Sequence, residues 1–198
     1  MRQTDLDPCG KSPQPGRQRT TESTYAKQTR GWRVEDNVTA PFGQCRDRVR
    51  SEWIDENQHM NLGYYVVAFD WATDLWFDHM GFDEAHRRTH GVASFALECH
   101  VCYLRELRVG DPILYTTQLL DFDEKRFHFF HRMWNEEGGY LAATNEIINL
   151  HVDWKTRRAA PMAPKILRRL ETLGEAHFKL PRPTQAGRGI GLDQKPER

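Results

Sequence analysis

The feature that most constrains the fold is a long helical pattern over residues 62–80. Apolar side chains recur there at the spacing of one helix face, and others occupy the remaining faces. Asn61 is a favourable N-cap, and Gly81 ends the pattern as a glycine past the last helical turn does. The apolar positions are Tyr64, Tyr65, Val66, Val67, Phe69, Trp71, Leu75, Trp76, Phe77 and Met80. A helix that is apolar nearly all round is expected to be largely buried.

Strand patterns fill most of the remaining chain. One run, residues 44–53, precedes the helix, and further runs follow it, separated by short turn segments. Turns of hairpin length favour antiparallel neighbours. The later runs are residues 93–108, 113–122, 126–135 and 140–154, with a short amphipathic helix around 164–173. We therefore predict an α+β fold in which an antiparallel sheet wraps around one long buried helix.

The two ends of the chain differ in composition from its middle. Residues 1–37 and 181–198 are polar or rich in Pro and Gly, with few large aliphatic side chains. Such segments bury too little apolar surface to offset their chain entropy. We predict two disordered tails around a single domain at residues 38–180, a usual domain size.

Composition argues against several classes of function. The 28 basic and 28 acidic residues give a formal net charge of +0, so no basic surplus indicates nucleic-acid binding. No apolar run approaches the roughly 20 residues of a membrane helix, and no secretory signal is evident. The 4 cysteines are too few and too irregularly placed for a disulfide-stapled secreted module. We expect a cytoplasmic protein without nucleic-acid or membrane partners.

Cys99, His100 and Cys102 form the pattern that comes nearest to a metal site. They fall in a predicted strand, where side chains three apart point to opposite faces and the two thiols cannot converge on one ion. The sequence also lacks a Gly-x-Ser-x-Gly nucleophile elbow and a Gly-rich phosphate loop after a strand. We expect neither a metal nor a cofactor.

Polar residues gather directly before the long helix, at Asp55, Glu56, Asn57 and His59. Backbone N–H groups at a helix N-terminus, together with the helix dipole, can stabilise an oxygen that becomes negative. The N–H groups near Gly63 and Tyr64 are the expected donors. A nearby carboxylate can activate water or attack a carbonyl carbon directly. An ordinary capped turn is the alternative interpretation of these residues.

Two segments together resemble a known family. The order Trp53-x-Asp55-x-x-x-His59-Met60-Asn61, followed by Leu-Gly-Tyr-Tyr and the long helix, resembles the hot-dog-fold acyl-CoA thioesterases, in particular the 4-hydroxybenzoyl-CoA thioesterase-like branch. Residues 98–111 are similar to that family's second-strand signature, an aromatic-Leu-Arg stretch that runs into Gly-Asp. The likeness covers essentially the whole predicted domain. The chain departs from the common pattern at Trp53, Gln58 and Leu62, where many members carry an acidic residue, Gly and Asn.

The resemblance implies roles for individual residues. Asp55 takes the position of the catalytic carboxylate, as general base or as nucleophile, and His59 and Asn61 are expected to brace the loop. Family members pair their sheets, which implies a homodimer or a dimer of dimers. Arg105 is a candidate for contact with CoA phosphates, and a solvated strand end is the alternative.

The substrate is suggested by aromatic residues near the predicted site. Aromatic rings attract a quaternary ammonium group, and the segment is similar to thioesterases of carnitine breakdown, which implies betainyl-CoA. Core packing is the alternative role of these rings. A non-catalytic hot-dog protein that binds an acyl chain or another ligand is the alternative function. The expected substrate-binding aromatic residues are Trp53, Tyr65 and Trp71.

Overall fold

The computed structural model describes residues 38–192, so the predicted N-terminal tail lies outside the described residues. In chain order the strands are β1 (Phe42–Arg48), β2 (Val92–Tyr103), β3 (Pro112–Phe122), β4 (Arg126–Asn135) and β5 (Tyr140–Asp153). The α-helices are α1 (Leu62–Met80), α2 (Glu84–His90) and α3 (Pro164–His177).

The strands form a 5-stranded sheet in the order β1-β3-β4-β5-β2. Every pairing between neighbours is antiparallel. The hairpin-length turns predicted this correctly for β3–β4 and β4–β5, but not for β2 and β3, because β2 pairs with β5 at the far edge of the sheet. Strands β1 and β2 are therefore the two edges of the sheet. The α+β prediction of one antiparallel sheet with a long helix packed on it is confirmed.

Helix α1 begins and ends at the predicted residues because both caps are encoded locally. The Asn61 side chain accepts a hydrogen bond from the Gly63 N–H at 3.0 Å, and Gly81 adopts the left-handed conformation with a φ of 76°. Phe69 and Trp76 are completely buried, but Leu62 is 65% exposed. Burial therefore applies to one face of α1, and its other face carries apolar residues into solvent.

The core consists of two clusters of buried side chains, one under each half of α1. The first contains Trp53, Met60 and Tyr65, and it anchors the loop before the helix. The second contains Trp76 and Phe77 with residues of α3. No helix within residues 38–192 is long and apolar enough to cross a membrane.

Several element bounds differ from the sequence patterns. Residues 51–53 form a 3₁₀ turn instead of extending β1, and β2 ends at Tyr103, so residues 104–111 are a loop. The short helix α2 was not predicted, because its seven residues include none that is buried. Apolar periodicity gives no signal for such a helix.

The chain beyond residue 180 also differs from the predicted tail as far as residue 192. The Gln118 side-chain amide donates to the Pro181 carbonyl at 3.3 Å, and the Gly187 N–H donates to Glu146 Oε2 at 2.7 Å. Gln185 is buried. Polar contacts with the sheet hold this segment, and an argument from apolar content alone cannot detect them.

Candidate active site

Backbone hydrogen bonds close the loop between Trp53 and α1 into a tight turn. The Asp55 N–H donates to the His59 carbonyl at 3.0 Å, and the Gln58 N–H donates to the Asp55 carbonyl at 3.1 Å. Gln58 has a φ of 65°, which is the left-handed conformation that glycine adopts most easily. The loop is then tied to the core by the Asn61 N–H, which donates to the Trp53 carbonyl at 2.9 Å.

The Asp55 carboxylate is oriented by this turn. Its Oδ1 accepts a hydrogen bond from the Asn57 N–H at 2.8 Å and lies 3.6 Å from His59 Nδ1. The side chain is 18% exposed. A carboxylate in this setting is fixed in direction and partly shielded, and it is still reachable from solvent.

A cavity of about 410 Å³ lies beside Asp55. Two parts of the chain that are distant in sequence form its walls, the Asp55 loop with the start of α1 and the end of β2 with the loop that follows. The first part contributes Asp55, Asn57, His59, Met60, Leu62 and Tyr65, and the second contributes Tyr103, Leu104, Arg105 and Glu106. The two segments that carry the family resemblance therefore meet at one cavity.

The polar groups in the second wall are already paired. The Arg108 guanidinium donates to Glu106 Oε1 at 3.2 and 2.7 Å, and the Arg105 guanidinium lies 4.2 Å from the centroid of the Tyr140 ring. Burial raises the pKa of Tyr65 to about 12 and also raises the pKa of Tyr103. Both phenols are therefore protonated at neutral pH.

The two expected oxyanion donors are engaged in the helix cap. The Gly63 N–H donates to Asn61 Oδ1, and the Tyr64 N–H donates to the Asn61 carbonyl, both at 3.0 Å. Both N–H groups therefore already have an acceptor within the cap, and their role as oxyanion donors stays a prediction. That prediction follows from the position of the helix alone, which does not reveal which N–H groups the cap residue uses. Leu62, the first residue of the helix, lines the cavity.

Two of the three expected substrate-binding aromatic residues do not line the cavity. Trp53 is 2% exposed, and the Arg50 guanidinium lies 4.9 Å from the Trp53 ring centroid and 4.4 Å from that of Trp71. Tyr64 packs against Trp53 with ring centroids 6.0 Å apart. The contact of both rings with an internal cation agrees with the packing alternative, and a role of Trp53 and Trp71 in substrate binding stays an untested prediction.

The remaining predicted residues lie at the cavity. Asp55, His59, Tyr65 and Arg105 line it, and Asn61 caps the helix beside it. Tyr103 also lines the cavity and was missed, although it belongs to the aromatic-Leu-Arg stretch of the second segment. Within residues 38–192, no three His, Cys, Asp or Glu side chains are grouped so that they could hold a metal ion.

Comparison with known proteins identifies the family of this chain. The model of the thioesterase-like superfamily matches residues 49–170, which include both walls of the cavity. The chain belongs to the thioesterase-like superfamily. The resemblance in the two segments and the hot-dog fold are thereby confirmed.

Relatives of this thioesterase-like chain share most of its described part. It is 40% identical over 144 residues to the betainyl-CoA thioesterase of Pseudomonas aeruginosa, covering 73% of this chain and 91% of that protein. It is 33% identical over 155 residues to an L-carnitine dehydrogenase/betainyl-CoA thioesterase of Rhizobium meliloti, covering 78% of this chain but only 31% of that longer protein.

The thioesterase-like fold is also similar to solved structures. A Staphylococcus aureus protein in complex with CoA superposes with a TM-score of 0.71 at 29% identity, covering 78% of this chain and 99% of that one.

Proposed function

We propose that this protein hydrolyses acyl-CoA thioesters, with betainyl-CoA as its substrate and Asp55 as the catalytic carboxylate. The observation that carries the proposal is the position of Asp55, which is oriented by the Asn57 N–H and lies in the wall of a cavity at the start of α1. The names of the relatives from Pseudomonas aeruginosa and Rhizobium meliloti support the choice of betainyl-CoA.

The reaction requires an attack on the thioester carbonyl carbon and a donor for the carbonyl oxygen. Asp55 either removes a proton from an attacking water or attacks the carbon itself to form an anhydride that water then cleaves. In both routes the carbon–sulfur bond breaks, the CoA thiolate takes up a proton, and the free acid is released. Leu62 is the first residue of α1 and lines the cavity, and its N–H is our candidate for the oxyanion donor.

His59 and Arg105 have supporting roles in this proposal. His59 Nδ1 lies 3.6 Å from the Asp55 carboxylate and limits the directions in which that group can turn. Arg105 lies in the opposite wall with a guanidinium that suits a phosphate oxygen of CoA. The CoA complex of the Staphylococcus aureus relative supports a CoA site in this fold.

We further propose that the protein is at least a homodimer, formed through β2. Ala96, Leu97, Glu98 and Cys99 are consecutive exposed residues, and Leu97 is 55% exposed. The register shifts between Ala96 and Glu98, but Glu98 and Cys99 pair regularly and point to opposite faces, so their exposure means that this edge of the sheet is uncovered on both sides. Pairing with β2 of a second copy covers an edge that is otherwise prone to aggregation.

Light scattering after size-exclusion chromatography tests the dimer. We expect twice the mass of one chain, and a reduced dimer fraction in Leu97→Lys. Val109→Lys is the matched control, because Val109 is equally exposed but lies in a turn outside β2. A monomeric wild-type protein contradicts this arrangement.

The function is tested by following thiol release from betainyl-, acetyl-, butyryl- and benzoyl-CoA. We expect turnover, with the highest kcat/KM for betainyl-CoA. The alternative is a binding protein of the same fold, and it predicts calorimetric binding of the esters with no thiol released from any of them.

A further inference from the structure

The Asp55 cavity has an aromatic wall made of two tyrosines from different elements. The rings of Tyr65 on α1 and Tyr103 at the end of β2 meet edge to face, with centroids 5.3 Å apart and planes at 84°. Tyr65 is 4% exposed, whereas Tyr103 is 47% exposed. One ring is thus fixed in the core, and the other is held against it with much of its surface open to an incoming ligand.

The open ring is also anchored at its polar end. The Tyr103 hydroxyl donates a hydrogen bond to the Leu62 carbonyl at 3.3 Å. This bond links the end of β2 to the first turn of α1, next to the loop that carries Asp55. The ring is therefore the part of the second wall that contacts the first turn of α1.

The cavity also offers a carboxylate to a cation beside Tyr103. Asp55 and Glu106 both lie in the walls, but Glu106 is paired with Arg108, and Arg105 lines the cavity with its guanidinium over the Tyr140 ring. Asp55 is therefore the carboxylate that this inference uses. A positively charged group on Tyr103 meets an aromatic ring in the same cavity as the Asp55 carboxylate.

The other aromatic rings near the loop are not available for this purpose. The Arg50 guanidinium already occupies the faces of Trp53 and Trp71, and Trp76 belongs to the second core cluster. Among the described residues, the pair of Tyr65 and Tyr103 is therefore the aromatic surface that the cavity offers.

We propose that Tyr103, supported by Tyr65, is the specificity determinant for acyl groups that carry a quaternary ammonium. The inference rests on the proposed thioesterase function and adds to it the residue that distinguishes cationic from neutral acyl groups. A ring face attracts such a cation by cation–π interaction, which phenylalanine preserves and leucine does not.

The test compares two thioesters of the same shape, betainyl-CoA and 3,3-dimethylbutyryl-CoA, which has carbon in place of the charged nitrogen. The ratio of their kcat/KM values is measured for wild type, Tyr103→Phe and Tyr103→Leu. We expect wild type and Tyr103→Phe to prefer the cationic ester, and Tyr103→Leu to lose about tenfold of that preference. Because the readout is the ratio of the two kcat/KM values, a change in turnover that is common to both esters cancels.

The outcomes separate the two proposals. If wild type releases thiol from neither ester, the proposed function fails. If wild type hydrolyses both esters equally, or if Tyr103→Leu keeps the full preference for the cationic ester, thioester hydrolysis stands and the role of Tyr103 is overturned. Because Tyr103 is half-exposed, both variants should fold, and circular dichroism verifies this.

Discussion

Replacing Arg50 by methionine should destabilise the protein although Arg50 lies outside the cavity. The guanidinium is placed over two indole rings, 4.9 Å from the Trp53 centroid and 4.4 Å from the Trp71 centroid. It also lies 3.4 Å from Asp47 Oδ2. Methionine retains most of the apolar stem and removes the charge, so the change isolates the cationic contacts.

The magnitude follows from the number of rings and the exposure of the group. Each cation–π contact of a half-buried guanidinium contributes about 1 kcal/mol, between the values for exposed and desolvated sites. The ion pair with Asp47 is partly solvated and adds less than about 1 kcal/mol. A loss of about 2 kcal/mol lowers Tm by roughly 4–8 °C in a domain of this size.

Thermal unfolding followed by circular dichroism measures the effect, with Arg46→Met as the control. Arg46 pairs with Glu136 at 2.9 Å, but both side chains are largely solvated and no aromatic contact is involved. The control should therefore cost less than about 1 kcal/mol. Equal shifts for the two variants, or an unchanged Tm for Arg50→Met, would refute the assignment of the two indoles as a cation site. The Trp53 carbonyl accepts a hydrogen bond from the Asn61 N–H, which ties the Asp55 loop to the core. Because loss of the Arg50 contacts loosens Trp53, we also expect a lower kcat in Arg50→Met.

Two further substitutions test the loop and the core. Gln58→Gly should raise Tm slightly. The left-handed conformation costs a non-glycine residue about 1–2 kcal/mol, and the greater conformational freedom of glycine in the unfolded chain offsets only about half of the gain from removing that cost. A lower Tm would contradict the interpretation that Gln58 is strained. His79→Phe should stabilise the protein by about 1 kcal/mol at pH 7, because both ring nitrogens of His79 are buried without a hydrogen-bond partner. Burial lowers the pKa of His79 to about 4 in the folded protein, from its ordinary value of 6.5. As the pH falls, the unfolded chain therefore binds a proton at this residue before the folded protein does. The contribution of His79 to the free energy of unfolding is thus fully present above pH 6.5 and is lost as the pH falls towards 4. Urea unfolding at pH 7 and pH 5 should show a smaller acid loss in His79→Phe, and an identical loss would contradict this origin.

Local signals made α1 predictable from the sequence. Asn61 and Gly81 fix its ends through bonds and dihedral angles that involve only neighbouring residues. The hairpin turns likewise made the pairs β3–β4 and β4–β5 predictable, but not the place of β2 beside β5. Asp55 was found at the cavity because the loop that carries it is closed by its own backbone hydrogen bonds.

Contacts between distant segments were not predictable in the same way. The Arg50 contact with Trp71 and the edge-to-face packing of Tyr103 on Tyr65 depend on how β2 and the loops meet α1. An aromatic residue near a predicted site looks the same in sequence whether a ligand or an internal arginine occupies its face. The hydrogen bonds of the Gly63 and Tyr64 N–H groups within the cap are a similar case. Which acceptor such an N–H group meets depends on differences in atomic position of a few tenths of an ångström, which the sequence does not reveal.

Thiol release from betainyl-CoA by Asp55→Asn, compared with Glu56→Gln, tests the central claim most directly. Glu56 is the neighbouring carboxylate, exposed and outside the cavity lining, so it controls for the loss of one loop charge. The account predicts that Asp55→Asn lowers kcat on the order of 10²–10⁴-fold with an unchanged fold, whereas Glu56→Gln stays near wild type. Near-wild-type turnover by Asp55→Asn would contradict the role of Asp55.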